Sequence, residues 1–212
     1  MPRSIALKCT YNDGGINNDN SIGFAGTCSI INIRNNIEKH AWCGNQRCQC
    51  FRFINNHGPD PIDPCEESIL FRDWRFSSGY AYKENGNIPP YDENGRRPLH
   101  IAHTAIGKIA ILTTRFPGTK ERDRRIIGFF EIDLITGNNK RETTRVHWVN
   151  GTRIRLSRDM ANQLFFWTYY RNANEQYGER WGHLLHRYLE DDTVHRILYD
   201  IAANIGDLAQ HN

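Results

Sequence analysis

The chain has 212 residues and a mass of 24.7 kDa, with 27 Lys and Arg against 24 Asp and Glu, a formal charge of +3 and a mean hydropathy of −0.67. That length suits one large domain or two small ones, and no stretch approaches the ~20 consecutive apolar residues of a membrane span. The opening run Met1-Pro-Arg-Ser-Ile-Ala-Leu-Lys is too short and polar for an export signal, so the sequence predicts a cytoplasmic protein.

In chain order, Ser4 to Thr10 alternates weakly and predicts a short strand, and Tyr11 to Gly26, rich in Asn, Asp and Gly, predicts a loop. Ile30, Ile33 and Ile37 fall at helical spacing behind Ser29, a candidate N-cap. Trp42 to Cys65 is a cysteine loop closed by Pro59, Pro61 and Pro64. Ile69 to Phe76 predicts a strand or short helix running into Ser77-Ser-Gly-Tyr-Ala-Tyr, and Glu84 to Arg97 a polar loop. Lys108 to Thr114 and Arg125 to Leu134 are strong strands separated by a turn at Phe116-Pro-Gly-Thr. Thr143 to Val149 and Thr152 to Leu156 complete a predicted meander, with Arg153 and Arg155 on one face and Ile154 and Leu156 on the other. Three helices should follow: one capped by Ser157 and carrying Met160, Leu164 and Trp167, one marked by Trp181, Leu184, Leu185 and Tyr188, and one from Asp192 closed by Gly206.

Five of the six cysteines fall between Cys28 and Cys65. A reducing compartment disfavours disulfides, and clustered thiolates suit Zn²⁺ or an iron–sulfur cluster. Cys43, Cys48, Cys50 and Cys65 make a four-ligand set, with Cys28 as a substitute and His40 and His57 as nearby alternatives; zinc is the first choice. Such a metal is structural, because the first third of the chain has no large apolar face of its own. Cys9 reads as a buried small hydrophobe.

Basic residues are unevenly placed. Lys140 to Arg158 holds six against the single acid Glu142, and Arg115 to Arg125 holds five against Glu121 and Asp123. Arg122, Arg124, Arg125, Arg145, Arg153 and Arg155 are candidate phosphate ligands, set against the plainer reading of a solvated strand edge. Phosphate-loop, dinucleotide-fingerprint, zincin and nucleophile-elbow motifs are absent. His100 and His103 have chelating spacing only if they lie on a helix, and Glu131 with Asp133 is similar to the paired acids of nuclease sites but lacks a Lys two residues on. No catalytic residue is assigned. Rings crowd a short segment: Trp74, Phe76, Tyr80 and Tyr82 stand beside Asp73, Ser77 and Ser78, with Trp42 in the cysteine loop and Trp148 in the basic run. Rings that stack on a base, with polar groups that read its edge, suit a flipped or single-stranded nucleotide.

The stretch Gly107 to Ile132, with its strand Lys108-Ile-Ala-Ile-Leu-Thr-Thr and its strand Arg125-Ile-Ile-Gly-Phe-Phe-Glu-Ile, resembles the central hairpin of the PUA superfamily, which includes EVE and YTH-like domains. Short words across the chain (Gly26-Thr-Cys-Ser, Trp42-Cys, Cys48-Gln-Cys50, Leu70-Phe-Arg-Asp-Trp, and Trp181-Gly with Arg187-Tyr-Leu) resemble the N-terminal part of bacterial modification-dependent restriction endonucleases, whose C-terminal part is an HNH nuclease. The cysteine loop departs from ordinary EVE and YTH domains. The resemblance implies an α+β fold with a PUA- or EVE-like curved sheet or barrel. The residues divide the chain into a cysteine-anchored module at 1–66, a PUA- or EVE-like sheet domain at 67–156 and a helical region at 157–212. The resemblance implies a reader of a methylated or hydroxymethylated base (5-methylcytosine among them) in double-stranded DNA, which flips that base into an aromatic pocket and serves a nuclease domain C-terminal to this chain. A nuclease or base-modifying enzyme using the His or acid pairs, and an RNA-binding PUA-like domain, are the alternatives.

Overall fold

The computed structural model describes residues 1–13, 28–38, 46, 48–55, 74–82, 96–137, 142–174, 176, 178–182 and 184–210. The fold is α+β. Its centre is a five-stranded mixed sheet of β1 (Ser4–Cys9), β5 (Ile109–Thr114), β6 (Arg125–Glu131), β9 (Arg153–Arg155) and β10 (His186–Leu189), in the order β10-β1-β5-β6-β9. A three-stranded sheet holds β2 (Arg75–Ser77), β8 (Arg145–His147) and β7 (Leu134–Thr136), and β3 (Tyr80–Tyr82) pairs with β4 (Arg96–Pro98). Among the described residues β9 and β10 each pair on one side only, so the large sheet is open and not a barrel.

Burial explains which strands sit in the middle. Ile5, Ala6 and Leu7 in β1, and Ala110, Ile111 and Leu112 in β5, are all fully buried. A strand buried on both faces reads as a continuous apolar run rather than an alternation. β1 runs parallel to β5 and antiparallel to β10, and β6 is antiparallel to β5 and β9. The β5–β6 register shifts at Leu112/Thr113. Close by, Gly128 (φ +154°) lies against β9, where a Cβ would overlap the carbonyl oxygen of Ile154. Only glycine allows that approach.

The strand expected to run through Leu134 is cut at Ile132-Asp133. The Ile132 amide donates to the Lys108 carbonyl oxygen and that of Asp133 to His147, which turns the chain from one sheet to the other. The meander is therefore divided: β8 pairs with β2 on one side and β7 on the other, and β9 returns to β6. The three-part division of the chain is likewise crossed by the large sheet, because β1 and β10 bring segments 1–66 and 157–212 into register with each other and with β5. An apolar strand such as β1, unable to satisfy its backbone groups alone, takes partners from the middle and the C-terminal part of the chain.

Helix α1 (Ile30–Glu38) begins where Ser29 predicts: the Ser29 Oγ accepts the Asn32 amide at 3.2 Å. With α2 (Gln49–Ile54) it forms a small separate core of Cys28, Ile33 and Cys50, joined by Cys48, Ile37 and Ile54. Ser157 caps α3 (Arg158–Gln163), accepting the Met160 amide, but the expected helix breaks after Gln163. There the Leu164 carbonyl accepts the Ile126 amide and the Phe166 amide donates to Arg124, tying the chain to the start of β6 before α4 (Phe166–Tyr169) begins. The helix expected around Trp181 to Tyr188 is instead β10, which fills the edge of β1. α5 (Asp191–Gln210) buries Val194, Ile197 and Ile201 and continues through Gly206 rather than ending there. Asp191 and Asp192 in its first turn favour the helix dipole. Among the described residues, no helix is long and apolar enough to cross a membrane.

Candidate nucleic-acid interface

The turn that joins β8 to β9 is held by acids. Asp133 Oδ2 accepts the amides of Asn150 (2.7 Å) and Gly151 (2.9 Å), and Glu131 Oε2 accepts that of Thr152 (3.3 Å). Burial, the largest single influence on Asp133, pushes its carboxyl up. The backbone amides of Asn150, Val149 and Gly151 outweigh it and hold the group below its ordinary range. The paired acids are thus spent on backbone amides.

The fixed turn positions an aromatic and basic cluster. The Trp148 indole N–H donates to the Gly151 carbonyl, and the Arg153 guanidinium lies 3.6 Å from the Trp148 ring centroid and 5.1 Å from that of Trp74. A guanidinium at this range gains cation–π and stacking energy. Trp74 forms the back of the cluster. It is 6% exposed, meets Phe130 edge-on at 6.3 Å, and its carbonyl accepts the Trp148 amide. Its φ of +47° is unusual for a bulky residue, a strained conformation that the surrounding core maintains. Trp148 is half-buried, and Arg153 and Arg155 are exposed along β9.

The residues predicted to build one base pocket do not all converge. Trp74 turns into the core. Ser77 lies on the opposite face of β2, its Oγ 3.0 Å from Thr143 Oγ1. Ser78 is 1% exposed and donates to the Leu99 carbonyl, so its hydroxyl is committed to backbone and is removed from the base-reading set. Tyr80 and Tyr82 lie on β3, in register with Pro98 and Arg96. Trp42 and Asp73 lie outside the described residues.

The arginines divide in the same way. Arg122 is exposed, whereas Arg124 is 3% exposed and is a correction to the phosphate set. Its guanidinium forms a two-pronged pair with Glu121 and lies 4.7 Å over the Trp181 ring. Arg125 lies 3.3 Å over the Phe165 ring and donates to the Asp123 carbonyl at 2.8 Å; burial lowers its pKa. Arg145 belongs to the other sheet, on its outer face.

His100 and His103 lie in non-helical chain, so the chelating geometry expected of a helix is absent. His100 meets Thr144 and His103 packs edge-on against Tyr188. Cys9 is buried, as its reading as a small hydrophobe requires. Of the proposed metal ligands, Cys48, Cys50 and the substitute Cys28 share the small core beside Ile33, while Cys43, Cys65, His40 and His57 lie outside the described residues. Among the described residues, no group of three or more His, Cys, Asp or Glu is placed to hold a metal.

Sequence reasoning placed Trp148 and Arg153 in one basic run but missed that one stacks on the other. It also missed Arg75 and His147, which join Arg145 only through strand pairing. No protein-family model, curated protein or solved structure matches this chain.

Proposed function

We propose that this chain binds nucleic acid along β9 and reads a modified base in double-stranded DNA, as a PUA- or EVE-like recognition unit of a modification-dependent restriction system. The observation that carries the reading is the Arg153 guanidinium stacked over Trp148, with Trp74 behind and Arg155 alongside. A guanidinium and a base are both flat and both stack on indole. In this reading Arg153 holds the place of a base on Trp148 and swings to a phosphate when the base enters. Trp148 is then the stacking platform and Trp74 its floor. Arg155 and Arg122 supply the sequence-independent phosphate attraction. A structural metal bound by Cys48, Cys50 and cysteines beyond the described residues belongs to the same proposal.

The rival enzyme reading loses its acid pair to the turn that Asp133 and Glu131 clamp. A panel of matched duplexes with unmodified cytosine, 5-methylcytosine, 5-hydroxymethylcytosine or N6-methyladenine, with an RNA duplex of the same sequence, tests the proposal. One modified DNA duplex should bind several-fold more tightly than its plain counterpart, and a plasmid incubated with Mg²⁺ should stay intact. Equal affinity across the DNA panel overturns modified-base reading, and preference for the RNA duplex assigns the edge to RNA.

A further inference from the structure

The outer face of the three-stranded sheet takes no part in the β9 interface. Arg75 pairs with His147 and His147 with Leu134, while Ser77 pairs with Arg145 and Arg145 with Thr136. Opposed residues in antiparallel strands share a face, as do positions two apart. Phe76 and Val146 are buried and define the inner face. Arg75, Ser77, Thr136, Arg145 and His147, each half-buried, therefore share the outer one.

Arg75 and Arg145 are diagonal neighbours across β2 and β8, a spacing of roughly 7–8 Å that long side chains bridge. Two like charges so placed raise the local positive potential and favour an anion between them. Among the described residues neither arginine has an ion-pair or hydrogen-bond partner for its side chain, and Arg75 Nε is buried without an acceptor. Hydroxyls flank them. Ser77 Oγ and Thr143 Oγ1 are 3.0 Å apart, and Thr136 Oγ1 is 2.9 Å from His147 Nε2. Burial, then the charges of Arg75 and Arg145, depress the His147 pKa, and Asp133 is the carboxylate that opposes them. Asp133 is itself held by the amides of the β8–β9 turn.

We propose that this face is a binding site for a phosphate monoester, whose oxygens bridge the Arg75 and Arg145 guanidiniums and accept from the hydroxyl of Ser77, with buried Thr143 donating to Ser77 Oγ behind it. Two guanidinium forks and the Ser77 hydroxyl offer more donors than the two oxygens of a carboxylate can use, and a dianion offsets both arginines. His147 beside them becomes a third cation when it takes up a proton. The site stands whether or not β9 binds nucleic acid.

The test is an NMR titration of the full chain, following the histidine ring protons with inorganic phosphate against chloride at matched ionic strength; the His147→Gln variant assigns the His147 signal. Phosphate should shift that signal saturably and raise its titration midpoint, because an adjacent dianion favours imidazolium. Arg75→Gln and Arg145→Gln should each weaken phosphate binding by on the order of tenfold. A nucleoside 5′-monophosphate and an oligonucleotide with either a 5′-phosphate or a 5′-hydroxyl distinguish the sources. Tighter binding of the nucleotide assigns the site to free nucleotides, and a gain that depends on the 5′-phosphate assigns it to a strand end. A His147 signal that responds to phosphate no more than to chloride overturns the proposal, as do folded arginine variants that bind phosphate like the parent. If the variants do not fold, the phosphate and chloride comparison on the parent decides alone.

Discussion

Arg124 separates a structural arginine from a nucleic-acid ligand, and the structure sets the size of the effect. Its guanidinium engages Glu121 with two nitrogens, lies over Trp181, and has Nη1 3.4 Å from the Thr113 carbonyl oxygen. Arg124→Met keeps much of the stem but removes the charge. Breaking one side of a buried pair costs ~3–5 kcal/mol. The Glu121 side chain is 25% exposed and regains some water, which places the cost near the lower end, at ~3 kcal/mol. For a chain of this size that lowers Tm by about 6–12 °C. Glu121→Gln in the Arg124→Met background should recover part of the loss, since the stranded carboxylate is gone; the coupling in a urea-melt double-mutant cycle should exceed ~1 kcal/mol. Nucleic-acid affinity of the folded Arg124→Met protein should match the parent within about twofold, the level of ordinary surface changes. An unchanged melt with a large loss of binding would refute the reasoning and return Arg124 to the phosphate set.

Trp74→Ala should cost ~3–5 kcal/mol by urea melt, the range for a buried ring, and a variant that melts like the parent would show that the ring is not core. His186 is 4% exposed in β10, and burial first, then Arg187, lowers its pKa. The folded chain therefore resists protonation that the unfolded chain accepts. This contribution to stability is complete above ~pH 6.5 and is lost as pH falls through the depressed folded value. Tm should drop between about pH 7 and pH 5, and His186→Gln should flatten that drop; an equally steep profile in the variant would assign it elsewhere. Elemental analysis of freshly purified protein should find about one zinc or iron centre per chain, with Cys48→Ser lowering both metal content and Tm; protein free of both metals would end the metal proposal.

The parts of the fold legible from sequence are those that local chemistry decides. β5 and the start of β6 announce themselves because strands buried on both faces need unbroken apolar runs, and Ser29 and Ser157 cap helices through bonds to amides three residues on. β10 was illegible: Trp181, Leu184, Leu185 and Tyr188 fit a helical stripe, and only the edge of β1, at the far end of the chain, makes the segment a strand. The run at 122–125 reads as four exposed polar residues, yet Arg124 is withdrawn by Glu121 and by Trp181, which is remote in sequence. The same limit applies to the site. Trp148 and Arg153 share a basic run that composition reveals, whereas Trp74 turned inward and Ser77 outward because strand parity separates them. Arg75 and Arg145 meet through register alone.

The central claim is that the β9 edge, with Trp148 as its platform, binds nucleic acid. The direct measurement is the dissociation constant of a labelled duplex across a salt series, for the parent, the Arg153→Glu/Arg155→Glu double variant and Trp148→Ala, each checked for an intact melt. For the parent, log K should fall linearly with log salt concentration, and the charge reversal should weaken binding and reduce the slope by about two. Trp148→Ala should keep the slope while losing ~1–3 kcal/mol, about 5- to 150-fold. A double variant that follows the parent at every salt concentration would contradict the account.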